Sequence, residues 1–415
     1  MNIIFITLAA IHNISSRGIY SDLMRIFRDK GHRVFIVSAA ERKLGINTNL
    51  IEIDGVSILK VKTLNIQKTS VLEKGLGTLL LESQYKRAIQ KHLSNVKFDI
   101  ILYSTPPITL TNVVKYIKKN NPNAISYLLL KDIFPQNAVD LRMFGKKSLL
   151  YWFFRKKEIS LYKNSDFIGC MSPANVDFLH RQNPYYPFKN IEVAPNSIEL
   201  INHGIEFDKN KTKDKFKLPL EKTIFIYGGN LGKPQGIDFL IRCLDENKER
   251  KDCHFVIVGN GTEFIKINNW YQHHLEKNVT LLQGLPKNEY DQLVKACDVG
   301  LIFLDHRFTI PNYPSRLLTY LEYKMPVLCA IDPNTDIGRI AEDNGYGFWC
   351  ESNSVKAFTS LVDKYTCHPD IIPIMGQKGY DFLCDNYLTK HTYQAIMRHI
   401  SEAKDKGMAK KSTAG

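Results

Sequence analysis

Four glycines separate a β-like run from an amphipathic segment in the stretch TIFIYGGNLGKPQGIDFLI, Thr223–Ile241. Glycines at such a junction let backbone N–H groups approach a ligand closely, and the first turn of a following helix adds free N–H groups and a partial positive charge. Lys233 adds a full charge within the loop. The stretch therefore predicts a site for an anion such as a diphosphate. A plain strand-to-helix turn is the alternative.

The order of these glycines differs from the common nucleotide-binding motifs. Neither G-x-x-x-x-G-K-[ST], the P-loop, nor G-x-G-x-x-G is present, which argues against an ATPase and a common NAD site. A second stretch, VGNGTE at 258–263, repeats the strand–glycine–helix pattern with Gly259 and Gly261. By itself this second pattern is weak, because a turn in a doubly wound sheet explains it equally well.

A third stretch, IPNYPSRLLTYLEYKMPVL at 310–328, contains a cation in an unusual place. Pro314 and Ser315 mark the start of a helix, and Arg316 stands in its first turn. A cation there opposes the helix dipole, so it needs another reason to be present. A bound phosphate would supply one, because a guanidinium matches phosphate oxygens. A solvated surface arginine is the alternative.

In the first half of the chain, Lys131 and Asp132 directly follow the apolar run NAISYLLL at 123–130. A charged pair at the carboxyl end of a strand points into the ligand-binding crevice of an α/β fold. A structural ion pair or a helix cap is the alternative.

The scaffold that positions these residues is predicted from short apolar runs that alternate with helix-length segments. This alternation indicates parallel sheets that are buried on both faces. The runs are 2–7, 33–39, 98–104, 123–130 and 165–172, and after a charged stretch at 202–222 they resume at 223–229, 253–261, 278–284, 297–304 and 325–331. We therefore predict an α/β protein with two tandem doubly wound Rossmann-like domains that face each other across a ligand-binding cleft.

The predicted domains are residues 1–198, residues 199–375 and a set of C-terminal helices, 376–415, that pack back toward the first domain. A chain of 415 residues agrees with two domains, and its net charge of +14 suits anionic partners. The eight cysteines have no C-x-x-C pair and no metal-ligand spacing, so we expect reduced core cysteines of a cytosolic protein. The apolar start MNIIFITLAAI lacks a basic leader and is predicted to be a buried strand.

The order of motifs resembles a retaining, family-four glycosyltransferase of the GT-B fold. The resemblance is to the bacterial O-antigen and capsule branch that includes N-acetylfucosaminyl transferases. It spans Met1 to about Ala330 and rests on the stretches MNIIFIT, RDKGHRVFIVSA, LLLKDIFPQNAVDL, LYKNSDFIGCMSPANVDFL, IEVAPNSIE, YGGNLGKPQGIDFLI, FVIVGNGTE, LQGLPKNEYDQLVKACDVGLIFL and YPSRLLTYLEYKMPVLCA. KDIFPQNAV and GNLGKPQG are fairly specific to the branch, whereas single glycine loops are not.

The resemblance implies a nucleotide-sugar donor, with UDP expected, bound by the second domain. It implies a polyprenyl-diphosphate-linked saccharide acceptor bound by the first domain. It also implies transfer of a hexose or N-acetylhexosamine with retention at the anomeric carbon, without a cofactor or metal; no D-x-D triplet occurs. Loop N–H groups, helix dipoles and cations must then neutralise the leaving group. The residues expected to act in catalysis are Lys131, Asp132, Lys233 and Arg316.

The glycine-rich loop departs from the family pattern. Many relatives carry an arginine and a lysine where this chain has Asn230 and Gln235. Lys233 and Arg316 are therefore our candidates for the missing charge. The double glycine after the first strand is reduced to Gly18, which the resemblance places near the donor diphosphate.

The Glu-x7-Glu pattern of the wider family is also absent. Pro311 and Thr319 stand at the two glutamate positions, and Glu322 is a candidate substitute for the carboxylate that holds the ribose. The donor-binding candidates also include Lys233 and Arg316 together with Gly229, Asn230, Gln235, Gly259, Gly261, Leu285, Pro286, Tyr313, Ser315 and Thr319. Asn196 matches the family's turn at the hinge between the domains.

The stretch KKSLLYWFFRKKEISLYK at 146–163 interleaves aromatic and basic residues. One interpretation is an amphipathic helix with an apolar core face. The other is a basic, aromatic face on an anionic membrane surface beside a lipid-linked acceptor. We expect a cytoplasmic protein, with a peripheral position on the inner face of the cytoplasmic membrane as an alternative.

Two further functional hypotheses stay open. The first is a GT-B-like subunit that has lost catalysis, motivated by Pro311 and Thr319. The second is a nucleotide-binding oxidoreductase with tandem Rossmann domains, which the sequence LAAIHNISSRG after the first strand disfavours. Nucleic acid is not an expected partner, because no recognised motif is present.

Overall fold

A computed structural model describes residues 1–66, 69, 71–185, 190–200, 207–274 and 278–412. The chain forms two units. Unit 1 is built from Met1–Glu199 and Leu388–Gly415, and unit 2 is Leu200–Tyr387. The boundary that we predict after residue 375 falls inside a helix of unit 2, Ile371–Asn386.

Unit 1 is a sheet with helices on both faces, in the strand order β3-β4-β2-β1-β5-β6-β7-β8. Its strands are β1 (Asn2–Thr7), β2 (Arg33–Glu41), β3 (Asn49–Ile53), β4 (Val56–Thr63), β5 (Ile100–Ser104), β6 (Ile125–Leu130), β7 (Phe167–Cys170) and β8 (Ile191–Val193). Its helices are α1 (Ile19–Asp29), α2 (Val71–His92), α3 (Thr111–Asn120), α4 (Gln136–Asp140), α5 (Leu149–Lys163), α6 (Pro173–Gln182) and α15 (Thr389–Ser412).

Unit 2 repeats this plan with a parallel sheet in the order β11-β10-β9-β12-β13-β14. Its strands are β9 (Thr223–Asn230), β10 (Cys253–Asn260), β11 (Val279–Leu282), β12 (Val299–Phe303), β13 (Val327–Ile331) and β14 (Gly347–Glu351). Its helices are α7 (Lys209–Lys215), α8 (Ile237–Asn247), α9 (Phe264–Gln272), α10 (Lys287–Ala296), α11 (Arg316–Glu322), α12 (Ile337–Asp343), α13 (Val355–Cys367) and α14 (Ile371–Asn386).

The prediction of two doubly wound α/β domains is confirmed. Every strand that we predicted is present, and the central ones are buried along almost their whole length, as strands covered by helices on both faces must be. The edge strands β8 and β14 and the strand pair β3 and β4 were not predicted. β3 and β4 form an antiparallel hairpin around Asp54 and Gly55, which both have positive φ, as a tight Asp-Gly hairpin turn requires.

The last helix belongs to unit 1 because its apolar face completes the core on α1. Tyr393 packs edge-on against Phe27 with ring centroids 5.0 Å apart. Ile396 and Ile400 lie in the same buried cluster as Phe27. Farther along the helix, the ring of His399 stacks on Phe167 at 3.8 Å.

The charged stretch at 202–222, interpreted as a linker, is partly helical. Residues 201–206 lie outside the described residues. Beyond them, α7 packs on α10 of unit 2, and the side chain of Asp208 caps it by accepting a hydrogen bond from the N–H of Lys211 at 2.9 Å. The capped turn gives this stretch a structural role in unit 2.

Six of the eight cysteines are buried and free, as expected for core residues, whereas Cys367 is exposed and Cys384 is partly exposed. The expectation of a core position is therefore wrong for these two, which lie on α13 and α14. None of the helices that the structure describes is both long and apolar enough to cross a membrane.

We predict that Gly376→Ala destabilises unit 2. Gly376 lies where α14 crosses the turn before β13, and an added Cβ would come within 1.9 Å of the carbonyl oxygen of Lys324. Forcing the two backbones apart should cost about 1–3 kcal/mol and lower the melting temperature by several degrees. The measurement is thermal unfolding followed by circular dichroism. Gly75→Ala in α2 is the matched control, because a Cβ there meets nothing within 4 Å; a melting temperature that falls equally in both variants would contradict the packing argument.

Candidate functional site

The glycine that precedes the loop after β9 makes room for tyrosine rings. A Cβ on Gly228 would come within 2.1 Å of the hydroxyl oxygen of Tyr290, and a Cβ on Gly300 would come within 2.4 Å of the ring of Tyr320. The hydroxyl of Tyr320 accepts from the N–H of Gly228 at 3.2 Å and donates to the carbonyl of Ile226 at 3.1 Å. Tyr290 and Tyr320 thus hold the carboxyl end of β9 in place. Any side chain larger than hydrogen at Gly228 or Gly300 would clash with these two rings.

Arg316 lies against this group of tyrosines. Its guanidinium carbon is 4.3 Å from the centroid of the Tyr227 ring, and a Cβ on Gly229 would be 3.4 Å from that carbon. Its Nη1 atom is buried and has no hydrogen-bond partner, and no carboxylate in the described part of the chain pairs with it. A buried cation without a carboxylate is costly, and one ring face compensates only part of that cost. The arrangement therefore suits an anion bound beside Gly229.

The loop after β9 is held by its own side chains. The Oε1 atom of Gln235 accepts from the Nδ2 of Asn230 at 2.9 Å and from the N–H of Gly232 at 3.2 Å. The hydroxyl of Tyr227 donates to the carbonyl of Asn230 at 2.6 Å. The hydrogen bond between Asn230 and Gln235 thus stabilises the conformation of the loop. Lys233 is the exposed cation of the loop, at the start of the short 3-10 turn Lys233–Gln235.

Gly259 and Gly261 permit a close approach of two strand ends. A Cβ on Gly259 would lie 1.8 Å from the carbonyl oxygen of Gly229, its partner in the β9–β10 register. A Cβ on Gly261 would lie 2.1 Å from the carbonyl oxygen of Leu231. Backbone packing accounts for both glycines, which supports the turn interpretation that we kept open for them.

Leu285 and Pro286 form the loop between β11 and α10, where the carbonyl of Pro286 accepts from the N–H of Tyr290 at 2.9 Å. The loop therefore positions the tyrosine that packs on Gly228. Ser315 is exposed before α11 and its side chain makes no capping hydrogen bond.

The other candidates on and before α11 point in different directions. Tyr313 is buried, and its hydroxyl is hydrogen-bonded to the hydroxyl of Tyr387, so it stabilises the end of α14. Glu322 is partly exposed at the end of α11, the helix that packs on α14. Thr319 is partly exposed and lies one turn after Arg316, on the same side of the helix. Of the three, Thr319 lies closest along the helix to the buried guanidinium.

In unit 1, Lys131 and Asp132 follow β6 but face different partners. The ammonium of Lys131 donates to the carbonyl of Ala194 at 3.0 Å, and the carboxylate of Asp132 accepts from the Nδ2 of Asn137 at 2.8 Å. The hydroxyl of Thr105 binds the backbone of both residues. Burial lowers the pKa of Lys131 to about 7 and raises the pKa of Asp132 to about 6. Both groups therefore change charge close to neutral pH.

Gly18 and Asn196 also lie in unit 1. Gly18 is exposed before α1, and its N–H donates to the carboxylate of Asp22 at 3.1 Å. Asn196 is buried after β8, and its Oδ1 has no hydrogen-bond partner. It adjoins Ser197, whose hydroxyl accepts from Thr392 at 2.9 Å.

Sequence reasoning missed the tyrosines that hold Arg316, which are Tyr227, Tyr290 and Tyr320. No spacing in the sequence marks Tyr290, because its contact with Gly228 joins α10 to a strand that does not directly precede it in the chain. The described residues contain no cluster of three or more His, Cys, Asp or Glu side chains that could hold a metal. The cations that this region offers to an anion are Arg316 and Lys233.

Comparison with known proteins gives one family and several relatives. Residues 208–378, nearly the whole of unit 2, match the family described as glycosyl transferases group 1. A probable glycosyltransferase of Pseudomonas aeruginosa, WbjE, is 23% identical over 331 residues, which cover 74% of this chain and 76% of that protein. The UDP-Gal:alpha-D-GlcNAc-diphosphoundecaprenol alpha-1,3-galactosyltransferase of Escherichia coli is 25% identical over 228 residues, 51% of this chain and 56% of that protein.

Solved structures show the same architecture at low sequence identity. Sucrose-phosphate synthase from Thermosynechococcus elongatus aligns with a TM-score of 0.73 over 97% of this chain and 98% of its own, at 12% identity. Such a likeness concerns the fold, which is the α/β two-domain GT-B fold.

We predict that the charge of Lys131 makes stability depend on pH. Its pKa is about 7 in the folded chain and near 10.4 in an unfolded one, so the unfolded state binds more protons between those values. Stability should therefore rise with pH from 7 to 10, relative to Lys131→Met, which has no such group. The measurement is urea unfolding of both proteins at pH 7, 8.5 and 10. Parallel stability curves would show that the amine is not desolvated.

Proposed function

We propose that this group 1 glycosyltransferase of the GT-B fold moves a sugar from a nucleotide-sugar donor to a lipid-linked saccharide in the synthesis of a bacterial surface polysaccharide. The donor is bound by unit 2 and the acceptor by unit 1. Transfer retains the anomeric configuration and needs neither metal nor cofactor.

The observation that carries the proposal is the buried Nη1 atom of the partly exposed Arg316, which has no hydrogen-bond partner among the described residues. A donor diphosphate beside Gly229 would supply the missing anion with the geometry that a guanidinium prefers. Lys233, exposed in the same loop, adds a second cation. Thr319, one turn beyond Arg316, can offer one hydrogen bond to the ribose.

The proposed transfer reaction places negative charge on the leaving diphosphate, next to the cations of unit 2. An acceptor hydroxyl oxygen bonds to the anomeric carbon while the bond from that carbon to the diphosphate oxygen breaks. That diphosphate oxygen takes the proton of the attacking hydroxyl. Arg316, Lys233 and the N–H groups of the loop stabilise the negative charge that develops on the leaving diphosphate, which is the step where electrostatic stabilisation contributes most.

The choice of donor and acceptor rests on the relatives. The name of the Escherichia coli relative gives UDP-galactose as donor and a diphosphoundecaprenol-linked sugar as acceptor. The sequence resembles the branch that includes N-acetylfucosaminyl transferases, so UDP-N-acetylhexosamines belong in the same donor screen. In unit 1, Asp132 at the end of β6 is our candidate for contact with the acceptor hydroxyls.

A second candidate function is a GT-B subunit that binds the nucleotide without transfer. It is favoured by Thr319, which stands at a position where the family has glutamate.

We expect Arg316→Gln to weaken UDP binding about 10- to 100-fold, because a charge-assisted hydrogen bond to phosphate is lost. Without ligand, its melting temperature should stay close to that of the wild type, since the Nη1 atom has no hydrogen bond to lose. Isothermal titration calorimetry and thermal unfolding measure the two effects. Lys233→Ala should also cripple transfer and leave the fold intact.

The matched control is Arg339→Ala, which removes an exposed arginine of unit 2 that lies over Trp349. Its UDP affinity should stay at the wild-type value. Wild-type affinity in Arg316→Gln would overturn the diphosphate assignment.

A donor screen tests transfer itself. UDP-galactose and UDP-N-acetylhexosamines are offered with undecaprenyl-diphosphate-linked sugars in the presence of EDTA, and the lipid products are identified by mass spectrometry. We expect one donor to be used and the proton NMR coupling of the new linkage to show the donor's anomeric configuration. An inverted product would exclude retention, and UDP binding without transfer from any donor would favour the non-catalytic subunit.

A further inference from the structure

Unit 1 exposes apolar side chains on two of its helices. Leu149 is 89% exposed and Trp152 is 62% exposed on α5, while Leu76 and Leu79 on α2 are 53% and 55% exposed. Side chains of this size are normally covered in a soluble domain, and scattered single exceptions need no explanation. Here they are concentrated. The surface that we call the α2–α5 apolar surface consists of Leu76, Leu79, Leu80, Met143, Leu149, Leu150, Trp152 and Phe153.

The two helices lie on the same face of the sheet. In the strand order of unit 1, the connections β4 to β5, β5 to β6 and β6 to β7 all step in one direction. Right-handed crossovers therefore place α2, α3 and α5 on one face, where they run parallel to one another. Because the helices are parallel, a residue on one helix can be matched to the residues at the same height along the other two.

Contacts at the first turn of α3 show which residues of α2 and α5 lie at the same height as the start of α3. The carboxylate of Glu82 on α2 accepts from the Nδ2 of Asn112 at 2.8 Å and lies 3.6 Å from the ammonium of Lys157 on α5. The apolar residues precede Glu82 in α2 and precede Lys157 in α5. Both apolar segments therefore extend beyond the start of α3, toward the carboxyl edge of the sheet, where nothing in the described part of unit 1 covers them.

Basic side chains surround the apolar residues. Lys146, Lys147 and Lys156 are exposed at and around the beginning of α5, and residues 142–157 contain no Asp or Glu. Both acids of α2 are already bound: Glu73 pairs with Arg42 at 2.8 Å, and Glu82 is bound by Asn112 and Lys157. Lysine is depleted from protein–protein interfaces, whereas interfacial membrane helices combine Trp, Phe and Leu with Lys and Arg.

A groove beside the apolar surface adds three more lysines. It lies between α2 and α3 and has a volume of about 550 Å³. Its lining includes Lys86, Lys115, Lys119 and Tyr116, and also Glu82, whose carboxylate is bound by Asn112 and Lys157. The ammonium of Lys86 is 5.6 Å from the centroid of the Tyr116 ring. Such a groove matches the phosphates of lipid headgroups in charge and lies next to the side chains that would enter the acyl region.

We propose that the α2–α5 apolar surface inserts into the interface of a membrane that contains anionic lipids, and that the lysine groove binds the headgroup phosphates. Unit 1 then lies on the membrane with Trp152 at headgroup level, where tryptophan is enriched. The proposal is independent of sugar transfer, because it concerns helices that carry none of the proposed donor-binding residues.

Vesicle flotation tests the apolar part. We expect binding to vesicles of phosphatidylglycerol and phosphatidylcholine, little binding to phosphatidylcholine alone, and release by salt. Trp152→Glu should reduce binding at least about tenfold, because a charge would have to enter the interface. The matched control is Ile265→Glu, which alters an exposed apolar residue of α9 in unit 2 and should bind as the wild type does. Equal flotation of Trp152→Glu and the wild type would overturn the proposal.

The lysine groove has a charge-matched control. Replacing Lys86, Lys115 and Lys119 together by Gln should weaken binding to anionic vesicles on the order of 100-fold, since each lysine near the surface contributes about fivefold. Replacing the exposed lysines Lys211, Lys251 and Lys356 of unit 2 by Gln gives the same net charge and should have little effect. Equal losses in both triple variants would mean that net charge alone, and no groove, drives binding.

Insertion and self-association are separated by two further measurements. Brominated lipids should quench tryptophan fluorescence in the wild type and not in Trp152→Phe, which keeps Trp270 and Trp349. Light scattering after size exclusion reports whether the surface joins two copies instead; a dimer that Trp152→Glu dissociates, without vesicle binding, would overturn the proposal. UDP affinity should be unchanged in all these variants, so a failure here is distinct from a failure of the donor site.

Discussion

The carboxyl end of the sheet in unit 2 is built around the guanidinium of Arg316, which contacts a tyrosine ring and pairs with no carboxylate among the described residues. The cost of burying Arg316 is lowered by the face of Tyr227, and the space around it is defined by Tyr290 and Tyr320. These rings fit because β9 and β12 carry glycine where they approach. The glycines that first suggest a phosphate loop are therefore required, in part, by the tyrosines that position the arginine. A donor diphosphate would give the buried Nη1 atom of Arg316 the hydrogen-bond acceptor that the described part of the chain does not supply.

Unit 1 manages its buried charges differently. Lys131 and Asp132 are each bound to a neutral partner, and burial moves both pKa values toward neutrality. An arginine cannot lose its proton in this way, whereas a lysine can. The charged side chains of the two units therefore differ in how they respond to pH. Unit 2 offers a permanent cation, and unit 1 offers groups whose charge depends on pH.

The sequence was sufficient for the layers of the fold, because parallel strands covered on both faces are continuous apolar runs. It was insufficient for the β3–β4 hairpin, whose outer strand Asn49–Ile53 is partly exposed and has no such run. Arg316 could be singled out because a cation in a first helical turn conflicts with the helix dipole. Tyr290 could not, since its importance arises from contact with Gly228, 62 positions away in the chain. Likewise, only coordinates show that Asn230 and Gln235 bond to each other and that Tyr313 is committed to Tyr387.

Unit 1 is made of two chain segments, with the whole of unit 2 between them. Its final helix closes the core on α1, and Leu388 pairs with Ile198 where the two segments meet. A ribosome that makes this chain therefore releases a complete unit 2 before unit 1 has all of its core. During that interval the apolar face of α1 stays exposed, because the helix that covers it lies beyond residue 388. Unit 2 is a single uninterrupted segment, so it can fold before unit 1. The core of unit 1 is completed only when the helix after Leu388 has been synthesised.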